Sequence, residues 1–293
     1  MSNSRKSAGW FSSPRPSNTV LSKASNPLQL LSKRKGRQSS RLNWATGLIV
    51  PAILLILWEI LSRTGVFAAN LLPAPSVVLL TIVDLAVDGD LLHHIGATLS
   101  RLLLGFLVGA GLATILGALT GYSHAARQLL DPLLQALRNI PSLAWVPLFI
   151  LWMGIYETSK IALIAVGVFF PIYLNLMSGI QNVDRKLVEV GRIYRLKGFQ
   201  LVRRVFLPAT LPAYILGLRG GLGLGWMFVV AAEIMGASQG LGFLMTDGQA
   251  TGRPAMILAS ILLFAVFGKL TDAVLAHFGQ RLLKWQDSYG SRS

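Results

Sequence analysis

The chain has 293 residues, 53% of them hydrophobic and only 13% charged, with a mean hydropathy of +0.58 and a formal net charge of +15. A soluble domain of this size carries more surface charge, and the basic residues here stand in short segments between apolar runs. That excludes a basic nucleic-acid-binding face and places the chain in the membrane class. The absence of cysteine excludes disulfides, thiolate metal sites and cysteine nucleophiles.

Residues 1–43 carry nine basic residues and no acidic one, among many serines. Such a segment buries too little apolar surface to offset its ordering entropy, and is expected to be a disordered cytoplasmic tail held near anionic lipid. From Trp44 onward six all-α transmembrane spans are predicted, each built on the roughly 20 apolar residues that cross a bilayer. They run over 44–61, 98–122, 133–153, 160–180, 209–235 and 255–278, and the third is expected to be kinked at Pro141 and Pro147. The membrane domain thus occupies 44–287, followed by a short tail, 288–293.

With the N-terminus inside, the inner segments hold 21 basic residues and the outer loops three: Arg63, Lys160 and Arg253. This asymmetry places both termini in the cytoplasm. Between the first two spans, Leu72-Pro73-Ala74-Pro75 breaks helix and Ser76 is expected to cap an interfacial helix interrupted by Asp84, Asp88 and Asp90. The adjacent His93 and His94 point in different directions on a helix and do not make a metal site.

Four charged residues lie in the last two spans. Arg219 and Glu233 stand near one face of the fifth, about 21 Å apart along its axis, too far to pair. Arg219 either attracts an anionic substrate or bonds a neighbouring helix, and Glu233 either lines the pathway or makes a structural hydrogen bond near the outer end. Lys269 and Asp272, one turn apart in the sixth span, are expected to neutralise each other. Tyr173, Asn175 and Trp226 are candidates for a pathway lining or for the bundle core. Gly217, Gly221 and Gly225 make a close-packing face, within one subunit or between two.

The longest inner loop, 181–208, reads QNVDRKLVEVGRIYRLKGFQLVRRVFLP. Leu187, Val190, Ile193 and Tyr194 recur at helical spacing, and Glu189 stands one turn before Arg192. A helix that ends or bends at Gly198, followed by a second short helix to Leu207-Pro208, makes a rigid knob. An amphipathic loop lying on lipid gives the same pattern.

This segment resembles the EAA loop of ABC importer permeases, E-A-A-x-x-x-G, nine residues, then I-x-L-P. Glu189 takes the glutamate, Val190 and Gly191 the small positions, and Val205-Phe206-Leu207-Pro208 the close. Val190 replaces an alanine, and Arg195 stands where the motif has glycine, so Gly198 is expected to supply the bend. The resemblance extends over roughly 70–287 and is nearest to permeases for aliphatic sulfonates, taurine and nitrate. It implies the type I ABC importer permease fold and a coupling loop made by Glu189, Val190, Gly191, Arg192, Arg195, Gly198, Leu207 and Pro208. The implied partners are a second copy of the chain, two ATP-binding subunits on the cytoplasmic side, a periplasmic substrate-binding protein and membrane lipid. ATP and Mg are bound by the partner ATPase, and this chain holds no cofactor and is no enzyme. It has no G-x-x-x-x-G-K-[ST] sequence to cradle nucleotide phosphates. The other classes weighed are a secondary transporter, which calls for inverted repeats, and a membrane enzyme, which calls for a convergent catalytic set. Neither pattern is present in the sequence.

Overall fold

The structure is a computed structural model that describes residues 49–67, 71–283 and 285. The expected tail over 1–43, the start of the first span and residues 288–293 lie outside the described residues. The chain divides into two compact units, Met1–Ile56 and Leu57–Ser293. In the first, the described residues 49–56 are helical. The second opens on helical residues 57–63 (α1) and continues through α2 (Pro75–Val87), α3 (Asp90–Tyr122), α4 (His124–Asn139), α5 (Trp145–Met153) and α6 (Glu157–Gln181). It ends with α7 (Arg185–Ile193), a short turn α8 (Phe199–Leu201), α9 (Leu207–Ile234), α10 (Leu241–Ala250) and α11 (Pro254–Leu282). Every element among the described residues is helical.

Four helices are long and apolar enough to cross a membrane: Asp90–Tyr122, Glu157–Gln181, Val202–Ile234 and Pro254–Leu282. The expected third span does not form as one helix. Proline disfavours helical backbone in the residue before it, and Ile140, ahead of Pro141, is extended at ψ 124°. The apolar run therefore divides between α4, which buries no residue, and the short apolar α5. Pro147 stands in the first turn of α5, where its missing N–H costs nothing. Ser76 does not cap α2 either. Ala74 is the N-cap and Pro75 starts the helix, its fixed φ suiting that position. The Ser76 N–H and hydroxyl both donate to the Glu59 carboxylate of α1, at 3.1 and 2.8 Å.

The core lies among α3, α6 and α9, where Leu102, Ile164, Val168, Ile172, Tyr173 and Val229 are almost wholly buried. Glycine faces bring these helices together. A Cβ at Gly109 of α3 would stand 2.5 Å from the Ala165 carbonyl oxygen of α6, so the two backbones are in direct contact. The Gly217, Gly221 and Gly225 face of α9 packs within the chain, against Asn175, Ile172 and Val168 of α6 and Leu102 of α3. A second cluster, around Leu91, Leu241, Leu244, Met256 and Leu263, fastens α10 and α11 to the start of α3.

Candidate functional site

The 181–208 segment folds as two short helical pieces. Asp184 caps α7, its Oδ1 accepting from the Lys186 N–H at 2.9 Å. The helix ends at Ile193, earlier than Gly198. Leu196 N–H donates to the Gly191 carbonyl at 3.0 Å and Arg195 N–H to the Arg192 carbonyl at 2.9 Å. These are the paired bonds of a Schellman ending, which needs a left-handed residue after the C-cap. That residue is Arg195, at φ +60°, the one non-glycine with positive φ among the described residues. Arg195 therefore takes the conformation of the motif glycine it replaces, while Gly198, at φ +50°, starts the next piece: Val202 N–H donates to its carbonyl at 3.2 Å.

Gly191 holds the two pieces together. It is buried, and a Cβ there would meet Leu201 Cδ1 at 2.8 Å and Val205 Cγ2 at 3.0 Å. A larger residue would force the Leu201 and Val205 side chains to give way at this contact. From Leu201 the chain runs through a π-helical turn, Val202–Phe206, straight into α9, with Pro208 in its first turn. Wide turns of this kind recur at functional sites. Leu187, Val190, Ile193, Tyr194 and Leu207 are exposed, so apolar surface remains open on this projection. Glu189, Arg192 and Arg195 are exposed too, and Glu189 makes no ion pair with Arg192.

Two charge clusters lie within the spans. In the first, Arg101 of α3, 2% exposed, donates to Glu157 of α6 from Nε at 2.5 Å and Nη2 at 2.9 Å, and to Glu233 of α9 from Nη1 at 2.8 Å. Its Nη1 also donates to the Gln239 carbonyl at 2.6 Å. The Glu233 carboxylate further accepts from Thr98 Oγ1 at 2.9 Å and from the Gly242 N–H at 2.8 Å. Lys160 donates to Glu157 and to the Ile155 carbonyl, both at 3.1 Å. Lys160 is thus a buried residue of α6 and not part of an outer loop. Two cations and two carboxylates close one neutral cluster where the start of α6 and the end of α9 meet the first half of α3.

The Arg101 link is the part that sequence reasoning missed. Its signal was a cation near the start of one span and an anion near the end of another, at matching depth. Glu233 is fully enclosed by these partners.

The second cluster corrects the expected Lys269–Asp272 pair. Asp272 of α11 instead accepts from Arg219 of α9, Nε to Oδ1 and Nη2 to Oδ2, both at 2.9 Å. A bidentate guanidinium satisfies both carboxylate oxygens at once, which an ammonium on the same helix does not. Lys269 is exposed and has no carboxylate within 4.0 Å among the described residues. Beside the pair, Trp226 Nε1 donates to Thr271 Oγ1 at 2.9 Å and its ring is nearly buried. Asn175 is half-buried between α6 and α9 and donates to the Pro171 carbonyl of its own helix at 2.8 Å. The structure brings Arg219 and Trp226 to the α9–α11 contact, and leaves Glu233 and the 181–208 projection at separate places.

A profile of the family described as "Binding-protein-dependent transport system inner membrane component" matches residues 101–284. The chain is 44% identical over 257 residues to SsuC of Bacillus subtilis strain 168, a permease protein named for aliphatic sulfonate transport, covering 88% of this chain and 92% of that one. It is 39% identical over 241 residues to the protein of the same name in Escherichia coli K12, covering 82% and 91%. A chain of the inward-facing MetNI methionine ABC transporter has the same fold, with a TM-score of 0.59 over 67% of this chain and 98% of that one, at 17% identity.

Proposed function

From the premise that this chain belongs to the family of binding-protein-dependent transport system inner membrane components, we propose that it passes a small organic anion, an aliphatic sulfonate, into the cytoplasm as one of two identical permease subunits. It is a multi-pass inner-membrane protein and an ABC permease, and hydrolyses no ATP itself. In this reading two ATP-binding subunits supply the energy, a periplasmic binding protein delivers the substrate, and ATP and Mg stay with the ATPase. Both termini lie in the cytoplasm. The first span expected from the sequence, 44–61, and the broken pair α4–α5 complete six spans with the four long helices.

The observation that carries the substrate class is the 44% identity to a relative named for aliphatic sulfonates. The coupling role of Glu189, Val190, Gly191, Arg192, Arg195, Gly198, Leu207 and Pro208 is supported by the shape of their segment. Two short helices locked at Gly191, joined without a break to α9, make a stiff lever with apolar residues on its open surface. A force on α7 then reaches a membrane span directly.

The test is reconstitution with the ATPase and the binding protein in proteoliposomes. Uptake of a radiolabelled alkanesulfonate is expected only with ATP and all components; uptake without the ATPase refutes the reading. Replacing Glu189 or Gly198 is expected to uncouple hydrolysis from uptake while the spans remain inserted. Normal transport and normal stimulation of hydrolysis in both variants would remove the coupling assignment.

A further inference from the structure

We propose that Arg219, Lys269 and Asp272 form an anion-transfer site in the inner half of the spans, in which Asp272 holds the Arg219 guanidinium until a substrate anion displaces it. The proposal rests on the importer reading above and names the site that reading lacks.

Depth is the first observation. With the projection ending at Pro208, Arg219 lies 11 residues into the span and 15 before Ile234, and Lys269 lies 15 after Pro254 and 13 before Leu282, so both stand inside their spans toward the inner ends. Charges within a span are costly against hydrocarbon and face protein or a water-filled cavity. These are open within the chain: the side chains of Arg219 and Asp272 are 43% and 30% exposed. The α9–α11 face that bears them therefore borders water or polar surface in the working transporter.

Charge is the second. Two cations stand against one carboxylate, leaving one positive charge to match a monoanion. The guanidinium presents its Nε and Nη2 donors to Asp272 as a planar fork, and a sulfonate or other small oxyanion offers oxygens to the same fork. Lys269, with no carboxylate partner among the described residues, can pair with the anion once it arrives. One turn from Arg219, a Cβ at Gly223 would meet nothing within 4 Å, so there is room for a ligand on this face. Asp272 then acts as an internal competitor that keeps the anion's hold weak enough for release. The Arg101 cluster is neutral and fully partnered, and its guanidinium and Glu233 are enclosed.

The measurement is equilibrium binding of radiolabelled ethanesulfonate to the purified permease–ATPase complex without binding protein. Removing the competitor in Asp272→Asn is expected to tighten binding about tenfold, and Lys269→Gln to weaken it about tenfold. Uncharged dimethyl sulfone is expected not to compete. A purely structural ion pair gives the opposite sign, with Asp272→Asn weakening binding or leaving it unchanged, and either result overturns the proposal. Lys269→Gln breaks no ion pair seen here, so it remains informative if Asp272→Asn fails to assemble; unchanged binding in it also overturns the proposal. ATP-dependent uptake by the wild type, run in parallel, separates the two readings. Intact uptake with binding indifferent to both variants removes only the transfer site, whereas uptake without the ATPase removes the importer reading.

Discussion

The two ion clusters use the same chemistry in opposite settings. Around Arg101, burial removes water from the guanidinium and from Glu233, and Glu157 closes the group from its half-exposed edge, so the cluster fastens α3, α6 and α9 and the loop that follows α9. Around Arg219 the partners are half-open and one cation is left over. A buried pair resists being opened because each partner left alone is a buried charge, whereas an open pair exchanges with solvent or ligand at little cost. Burial, rather than the identity of the residues, separates a fastening from a contact that can be traded.

Four changes test that contrast. Glu233→Ala leaves Arg101 buried beside one carboxylate fewer, and is expected to destabilise the protein by about 3–5 kcal/mol, seen as a large fall in Tm in detergent. A shift as small as that of an exposed pair would break the comparison. Gly109→Ala forces the α3 and α6 backbones apart and is expected to cost about 1–3 kcal/mol by the same assay. Arg219→Ala removes only an open pair, and its effect on stability is expected to stay below about 1 kcal/mol. A loss as large as that of Glu233→Ala would mean that this pair too is structural. The fourth change has the opposite sign: Arg195→Gly relieves a left-handed non-glycine residue and is expected to stabilise α7 by about 1 kcal/mol, measured by hydrogen exchange of its amides.

The long helices and the knob were legible in the sequence because their signals are local. Apolar runs near twenty residues, the Glu189–Pro208 spacing and the glycine registers need no knowledge of neighbours. What failed or was missed depended on three dimensions. The run 133–153 has the composition of a span, yet the backbone restriction that Pro141 places on Ile140 cuts it in two. Lys269 and Asp272 are neighbours along one helix, but the stronger partner sits across the α9–α11 contact, 53 residues away in sequence. Arg101 and Glu233 are 132 residues apart, and only the packing of α3 on α9 reveals that they meet. Arg195 shows the converse. The glycine expected at that position is absent, yet the Schellman hydrogen bonds impose the conformation that glycine would have supplied.

Gly240 carries a consequence for what the chain can tolerate. Its φ of +121° suits glycine alone, and a methyl group there would land 2.5 Å from Glu233 Oε1 and 2.7 Å from Arg101 Nη1. Backbone shape and the crowding of two charged side chains thus veto the same substitution independently. Relaxing the loop alone would leave the crowding, and moving the two charged side chains alone would leave the strained backbone.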